Sequence, residues 1–94
     1  MNISPEELDN LLSSHPKMLE VAVTGYDDEI LGEKVGVVAV IPEDETISLE
    51  EIIDFLKDKK IAKYKMPEDI RVIDILPKNP VGKVLRRELK DLFT

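Results

Sequence analysis

The chain has 94 residues, of which 43% are hydrophobic and 35% charged, with no cysteine and one histidine. This length suits one small domain, and the lack of cysteine excludes disulfides and cysteine-ligated metal sites. No apolar run approaches the ~20 residues that a membrane-spanning helix needs, and the polar, acidic N-terminus does not resemble a signal peptide. We therefore expect a single soluble domain over residues 1–94, and the absence of cysteine fits a reducing, cytoplasmic setting.

Charge is distributed unevenly along the sequence. The formal net charge is −7, with 14 acidic and 2 basic residues in positions 1–54, and 6 acidic and 11 basic residues in positions 55–94. The negative total argues against a general nucleic-acid binder. The basic second half predicts a surface for an anionic ligand or partner, although lysines that only solvate helix and loop edges would give the same count.

The first half of the sequence predicts a helix and two strands. In "ISPEELDNLL" Ser4 and Glu7 form a capping box, leucines follow at helical spacing, and Pro16 ends the helix. "LEVAVTG" alternates apolar and polar residues, as a half-buried strand does, and residues 25–33 read as a polar loop. "KVGVVAVI" is nearly continuous β-branched sequence, which predicts a central strand covered on both faces.

The second half predicts a helix, a strand and a final helix. Ser48 and Glu51 form a second capping box before an apolar stripe, and "KDKKIAKYKMPED" is a basic connector. "IRVIDIL" predicts a third strand, and residues 84–93 predict a helix whose leucines face inward and whose basic residues face outward. The outward residues are Arg86, Arg87 and Lys90. The order α-β-β-α-β-α predicts an α+β fold, a small, partly antiparallel three-stranded sheet with helices packed on it.

Two groups of polar residues have ordinary structural interpretations. His15 precedes a proline at a helix end and is interpreted as a capping or surface histidine. The acidic residues of the predicted loop favour a solvated turn over a metal site, because no histidine accompanies them. These residues are Asp27, Asp28, Glu29 and Glu33.

Lys83 lies at the end of a constrained loop in "LPKNPVGKVLRREL", residues 76–89. Pro77 and Pro80 fix two φ angles, and Gly82 permits a backbone conformation that a side chain would hinder. The loop presents Lys83 before a predicted helix, where N–H groups and an ammonium suit a phosphate or a carboxylate. The alternative is an exposed lysine after an ordinary Pro/Gly turn. The stretch is not a P-loop, since Asn79 and Pro80 replace the glycine-rich cradle.

This stretch resembles the C-terminal signature of the AMP-forming acyl-CoA synthetases, which belong to the adenylate-forming superfamily. The family pattern is roughly Leu-Pro-(Arg/Lys)-Thr-x-x-Gly-Lys-(Ile/Val)-x-Arg, and Asn79 replaces the usual threonine. "NISPEELDNLLSSHPKMLEVAVTG", "YDDEILGEKVGVVAVI" and "IAKYKMPEDIRVIDILP" resemble further blocks of the family in the same order. The resemblance therefore covers essentially the whole chain.

The resemblance implies the mobile C-terminal lid of an ATP-dependent ligase that joins a fatty or aryl acid to CoA. In such enzymes a large N-terminal domain binds ATP, Mg²⁺ and the acid. The lysine that matches Lys83 reaches the α-phosphate and the carboxylate during adenylation, and the lid then rotates to build the thioester-forming site. Tyr64 matches an aromatic residue that stacks on the adenine of CoA, and Lys65 lies by the CoA phosphates.

Some alternatives stay open at this point. Tyr64 could instead pack at the sheet edge, and Lys57, Lys59 and Lys60 are weaker candidates for steering phosphates. We expect a domain excised from a longer ligase, inactive in isolation, with its own N-terminal domain as partner. Two other hypotheses are a free-standing interaction domain without catalytic activity and the lid of a nonribosomal-peptide adenylation domain. The choice of carboxylic acid would be made in the N-terminal domain.

Overall fold

The structure, a computed structural model, describes residues 5–30, 32–59 and 66–93. These parts of the chain form three α-helices, three strands and a short 3₁₀ helix. In chain order they are α1 (Pro5–Leu12), β1 (Glu20–Asp28), β2 (Gly32–Val40), α2 (Leu49–Asp58), β3 (Asp69–Val72), α3 (Arg86–Lys90) and the 3₁₀ helix Asp91–Phe93. The predicted α+β fold and the predicted order of elements are confirmed.

The three strands form one mixed sheet in the order β1-β2-β3. β1 and β2 pair as an antiparallel hairpin, in which Val23 lies opposite Val37. β3 pairs parallel to β2, with Ile70 opposite Val37, because the chain crosses over through α2 between the two strands. The prediction that β2 is central and covered on both faces is confirmed, since Val37 and Val38 point to opposite faces and are both fully buried.

Each face of the sheet carries its own hydrophobic core. Helices α1 and α2 cover one face, where the buried residues are Leu8, Leu12, Val23, Val37, Ile52 and Leu56. Helix α3 and the segment before it cover the other face, where the buried residues are Ala22, Val38, Val40, Leu76 and Leu89. The domain is therefore three layers thick, with the sheet in the middle.

The N-cap half of the second predicted capping box forms at the start of α2. Ser48 has extended backbone angles, and its Oγ accepts a hydrogen bond from the N–H of Glu51 at 3.2 Å. This bond satisfies one of the N–H groups that the first turn of the helix leaves unpaired. The first capping box involves Ser4, which lies outside the described residues.

The predicted loop at residues 25–33 is wrong, because β1 continues to Asp28 and β2 begins at Gly32. The strand is polar here because the charged side chains lie on the exposed part of the hairpin. Asp28 pairs with Lys34 across the strands at 3.5 Å, and its other carboxylate oxygen accepts from the N–H of Ile30 at 3.1 Å. Tyr26 is the buried hydrophobic residue of this otherwise polar part of β1.

The C-terminal elements are shorter than predicted. β3 ends at Val72, where the sequence suggested a strand over 70–76, and α3 begins at Arg86 rather than at position 84. Val84 instead forms an isolated antiparallel bridge with Lys78, which holds the chain extended just before the helix. The leucine at position 92 was predicted to face inward, but it lies in the 3₁₀ helix and remains 37% exposed.

The 3₁₀ helix packs Phe93 flat against the sheet. Its ring stacks on Tyr26 with the centroids 4.8 Å apart, and the guanidinium of Arg71 lies 4.9 Å from its centroid. Gly36 makes this approach possible, since a Cβ at that position would lie 2.5 Å from Cζ of Phe93. The Nε of Arg71 also donates to the carbonyl of Leu92 at 3.0 Å, so β3 and the 3₁₀ helix are joined.

Candidate functional site

The loop before α3 is closed by hydrogen bonds at its base. The N–H of Leu85 donates to the carbonyl of Pro77, and the N–H of Asn79 donates to the carbonyl of Lys83, both at 2.9 Å. Between these bonds lies the bridge of Lys78 with residue 84. The loop therefore leaves and re-enters the domain at nearly the same place, with Lys83 on its returning arm.

The side chain of Asn79 closes the tip of the loop. Its Oδ1 accepts hydrogen bonds from the N–H groups of Val81 and Lys83, each at 3.0 Å. Its main-chain carbonyl accepts from the N–H of Gly82 at 2.9 Å. Gly82 has φ +90° although a Cβ there would meet no atom within 4 Å, so glycine is needed for the backbone angle and not for space.

The loop is anchored in the core that α3 covers. Leu76 before the loop is 3% exposed, and Leu89 after it is fully buried. Nζ of Lys78 pairs with Oε1 of Glu20 at 2.5 Å, which ties the outgoing arm to β1. The loop is thus exposed at its tip and fixed at its base.

Arg86 fixes the start of α3 from the other side. Its guanidinium pairs with Oδ2 of Asp9 in α1 and donates to the carbonyl of Val23 in β1. Oδ1 of Asp9 accepts from the N–H of Val23 at 2.7 Å. The prediction that Arg86 faces outward is wrong, because its side chain is 32% exposed and joins three elements.

Lys83 itself is exposed, and no ion pair of its amine is found within residues 5–30, 32–59 and 66–93. It is therefore accessible to an anion. The expected position at a helix N-terminus is wrong, because Lys83 lies three residues before the first residue of α3, which Leu85 precedes without a side-chain cap. The group that this loop offers to an anion is therefore the amine of Lys83 and not the N-terminus of a helix.

The predicted CoA-contacting residues Tyr64 and Lys65 lie outside the described residues, and so does Lys60. Of the weaker candidates, Lys57 and Lys59 are exposed at the end of α2. The amine of Lys59 lies 5.1 Å from the centroid of the Phe55 ring, a cation–π contact that orients it on the helix.

His15 has a local structural role after α1. Its Nδ1 accepts from the N–H of Lys17 at 3.1 Å, and its ring packs on Phe55 with the centroids 4.8 Å apart. Burial lowers the pKa of His15 from its ordinary 6.5, while the nearby Glu51 opposes this shift. The imidazole thus closes a turn in its neutral form, in agreement with its interpretation as a capping histidine.

Within the described parts of the chain, no three acidic or histidine side chains come together in a group that could hold a metal ion. Asp27 and Glu33 are cross-strand partners, and Asp28 pairs with Lys34. These residues do not fit a Mg²⁺ site. The described helices also include none that is long and apolar enough to cross a membrane.

Comparison with known proteins identifies this arrangement of a sheet, three helices and a lysine-bearing loop. Residues 7–83 match the family described as the AMP-binding enzyme C-terminal domain. Because the match covers most of the sequence, the chain belongs to this family. The resemblance to the C-terminal domains of the adenylate-forming superfamily is confirmed.

Its relatives are much longer proteins. The chain is 38% identical over 97% of its length to oxalate–CoA ligase of Saccharomyces cerevisiae, and 37% identical over 95% to crotonobetaine/carnitine–CoA ligase of Shigella dysenteriae. It spans 17% of the length of each.

Solved structures agree with these relatives. The ATP-bound MatB of Rhodopseudomonas palustris superposes with a TM-score of 0.87 at 31% identity, over 99% of this chain and 18% of that one. A fatty acyl-CoA synthetase of Mycobacterium tuberculosis superposes with a TM-score of 0.86 at 30% identity, over 99% and 18% of the two chains.

Proposed function

We propose that residues 1–94 are the C-terminal lid of an AMP-forming acyl-CoA ligase and that Lys83 is its adenylation lysine. The observation that carries this proposal is the similarity of 95–97% of the chain to two proteins named as CoA ligases. The exposed amine on a hydrogen-bonded loop supports the role of Lys83, because a residue that serves a ligand held elsewhere must project from its own domain.

The proposed chemistry uses the charge of Lys83. In adenylation the carboxylate oxygen of the acid attacks the α-phosphorus of ATP, and pyrophosphate leaves. Negative charge accumulates on oxygens between the two reactants, and an ammonium group placed there stabilises the transition state more than the ground state. Lys83 would make this contact only while the lid is closed over the rest of the enzyme.

The other substrates require groups beyond those described. Among residues 5–30, 32–59 and 66–93 no three acidic or histidine side chains form a group that could hold a metal ion. The ligands of a Mg²⁺ that accompanies ATP are proposed to come from the N-terminal domain that we propose as partner. Tyr64 and Lys65 are proposed to contact the adenine and the phosphates of CoA, since an aromatic ring beside lysines is a suitable nucleotide platform.

The relatives favour a pocket for the acid that lies outside this domain. Proteins named for oxalate and for crotonobetaine or carnitine match the chain almost equally well, at 38% and 37% identity. Such different acids would not share one binding site, so the domain is proposed to serve the reaction and not the choice of acid. No specific observation favours a free-standing interaction domain or the lid of a peptide synthetase.

The test is a comparison of half-reactions in the full-length enzyme. Acyl-adenylate formation would be followed as pyrophosphate release with a panel of fatty, aryl and dicarboxylic acids, and thioester formation would be started from supplied adenylate. Lys83→Ala should reduce adenylate formation by roughly a hundredfold or more and leave thioester formation nearly unchanged. An equal loss in both half-reactions would contradict the role assigned to Lys83.

A further inference from the structure

Both backbone polar groups of Lys83 are hydrogen-bonded to one residue, Asn79. The N–H of Lys83 donates to Oδ1 of Asn79 at 3.0 Å, and the carbonyl of Lys83 accepts from the N–H of Asn79 at 2.9 Å. The N–H groups of Val81 and Gly82 also bond to Asn79. Three consecutive N–H groups of the loop therefore share a single partner residue.

These hydrogen bonds determine the shape of the loop, because its side chains are not packed in a core. Val81 is 80% exposed, and Gly82 and Lys83 are exposed as well. A loop without buried side chains takes its shape from its hydrogen bonds and its backbone restrictions. Pro77 and Pro80 restrict two φ angles, but they do not connect the outgoing arm of the loop with the returning arm. At the base of the loop that connection is made by the bond of Leu85 with Pro77, and at the tip it is made by Asn79.

The position of the lysine backbone matters because the lysine side chain is long and flexible. Four methylene groups let the amine sweep a wide volume, so its mean position follows from where the Cα is held. We propose that Asn79 is a positioning residue for Lys83, and that its Oδ1 holds the loop so that the amine arrives at one place when the lid closes. This proposal rests on the proposed function of Lys83.

The contacts of Asn79 indicate which variants separate positioning from folding. Within the described residues, the side-chain bonds of Asn79 are made through Oδ1. Asn79→Asp keeps an acceptor oxygen at that place, whereas Asn79→Ala removes it. Asn10, which is exposed on α1, provides a control for the loss of an asparagine side chain at a distance from the loop.

The experiment measures both half-reactions and the unfolding midpoint in the full-length enzyme for Lys83→Ala, Asn79→Ala, Asn79→Asp and Asn10→Ala. Asn79→Ala should lower the kcat of adenylate formation by tenfold to about a hundredfold, the loss expected from a misplacement of about 1 Å. Its KM for ATP, its thioester formation and its unfolding midpoint should stay near those of Asn10→Ala. Asn79→Asp should restore most of the rate.

Failure of the two proposals would look different. If Lys83→Ala forms adenylate at the normal rate, the proposed function of Lys83 is wrong. If Lys83→Ala is defective but Asn79→Ala is normal, or if Asn79→Asp is as defective as Asn79→Ala, the positioning role is overturned while the function stands. Parallel losses in both half-reactions and in the unfolding midpoint would show a merely structural role and overturn it too.

A second measurement does not depend on activity. In the 94-residue chain, Asn79→Ala should speed amide hydrogen exchange at Val81 and Lys83 by about fivefold to tenfold, the ratio that corresponds to one net hydrogen bond. Asn79→Asp should leave exchange at these two amides close to that of the unaltered chain. Unchanged exchange in Asn79→Ala would show that Oδ1 does not hold the loop, and would overturn the proposal.

Discussion

Asp9 and Arg86 together occupy both outward-facing backbone groups of a single strand residue, Val23. The carboxylate of Asp9 accepts from the N–H of Val23, and the guanidinium of Arg86 donates to its carbonyl, while the two side chains also pair with each other. Among the described residues β1 is an edge strand of the sheet, and no other described strand lies beside it on this side. The ion pair takes the place that another strand would occupy.

This relationship joins the two outer layers of the domain around the edge of the sheet. Asp9 belongs to α1, which packs on one face, and Arg86 begins α3, which packs on the other. Since α3 follows the Lys83 loop directly, the ion pair also fixes one end of that loop. Arg86 thus has a structural role in the same motif in which Lys83 has a proposed role in adenylation.

Removing Arg86 should destabilise the domain. Arg86→Ala leaves the carbonyl of Val23 and the carboxylate of Asp9 without their partner, and hydrogen bonds to charged groups contribute about 1.5–3 kcal/mol each. Because the two side chains are partly exposed, we expect the free energy of unfolding to fall by about 2 kcal/mol. Urea unfolding followed by circular dichroism measures this change.

The neighbouring arginine is the matched control. Arg87 is exposed on the same helix, and Arg87→Ala should change stability by less than about 0.5 kcal/mol. The double variant Asp9→Ala with Arg86→Ala should be less destabilised than the sum of the single variants, since the residues are in direct contact. Strictly additive losses would mean that the two side chains act independently.

Stability should decrease as the pH falls below the ordinary pKa of histidine. Burial lowers the pKa of His15 from 6.5, so the unfolded chain binds this proton at a higher pH than the folded chain does. The contribution of the neutral imidazole is therefore complete above pH 6.5 and is lost as the pH falls through the lower pKa of the folded chain. Protonation also removes the Nδ1 acceptor that the N–H of Lys17 uses.

The comparison that checks this prediction is urea unfolding of the wild type and of His15→Gln between about pH 7.5 and 5. Glu51 titrates lower, because its hydrogen bond with Lys17 lowers its pKa from 4.5, so it contributes little to the slope in this range. The wild type should lose stability more steeply than His15→Gln. Equal slopes would show that His15 does not contribute to the pH dependence.

Substitution of Gly36 should disturb the contact between the sheet and the C-terminal 3₁₀ helix. A Cβ in Gly36→Ala would overlap the ring of Phe93, which packs between Tyr26 and Arg71. Overpacking of this kind costs about 1–3 kcal/mol, measured as the free energy of unfolding. In a Phe93→Ala background the same substitution should cost much less, and an equal cost in both backgrounds would contradict a clash with Phe93.

The same contact should be visible in the titration of Tyr26. Burial raises the pKa of its phenol above the ordinary 10.0, and the stacked ring of Phe93 contributes to that burial. Phe93→Ala should therefore bring the pKa of Tyr26 back toward its ordinary value. Absorbance titration in a Tyr64→Phe background isolates this tyrosine, since the chain has two, and an unchanged pKa would mean that Phe93 does not shield it.

Tyr64→Ala should raise the KM of the full-length enzyme for CoA more than its KM for ATP, if the ring stacks on the adenine of CoA. A lost base–aromatic stack costs about 1–3 kcal/mol, or roughly fivefold to a hundredfold in KM. Tyr64→Phe keeps the ring and should behave nearly as the wild type does. If neither KM changes in Tyr64→Ala, the alternative interpretation, in which Tyr64 packs at the sheet edge, is favoured.

The amino-acid sequence was enough to predict the order of the elements, the central strand and the family. The pattern of apolar residues predicts α1, α2 and β2. An amphipathic helix buries one apolar stripe and a central strand buries both faces, whatever their final position in the fold. The N-cap at Ser48 and the turn residues around Lys83 form hydrogen bonds to residues only a few positions away. They can therefore be predicted from the sequence without knowledge of the fold. The sequence signature around Lys83 is local information of the same kind.

Features that depend on contacts between distant segments are visible only in the folded domain. Arg86 looked like an outward-facing helix residue, and its partner Asp9 lies 77 positions away in the sequence. The polar end of β1 has the composition of a loop, but it pairs with β2 and its Tyr26 stacks on Phe93 from the far end of the chain. Local sequence patterns record burial and turn propensity, whereas ion pairs and ring contacts between segments depend on where the fold brings those segments together.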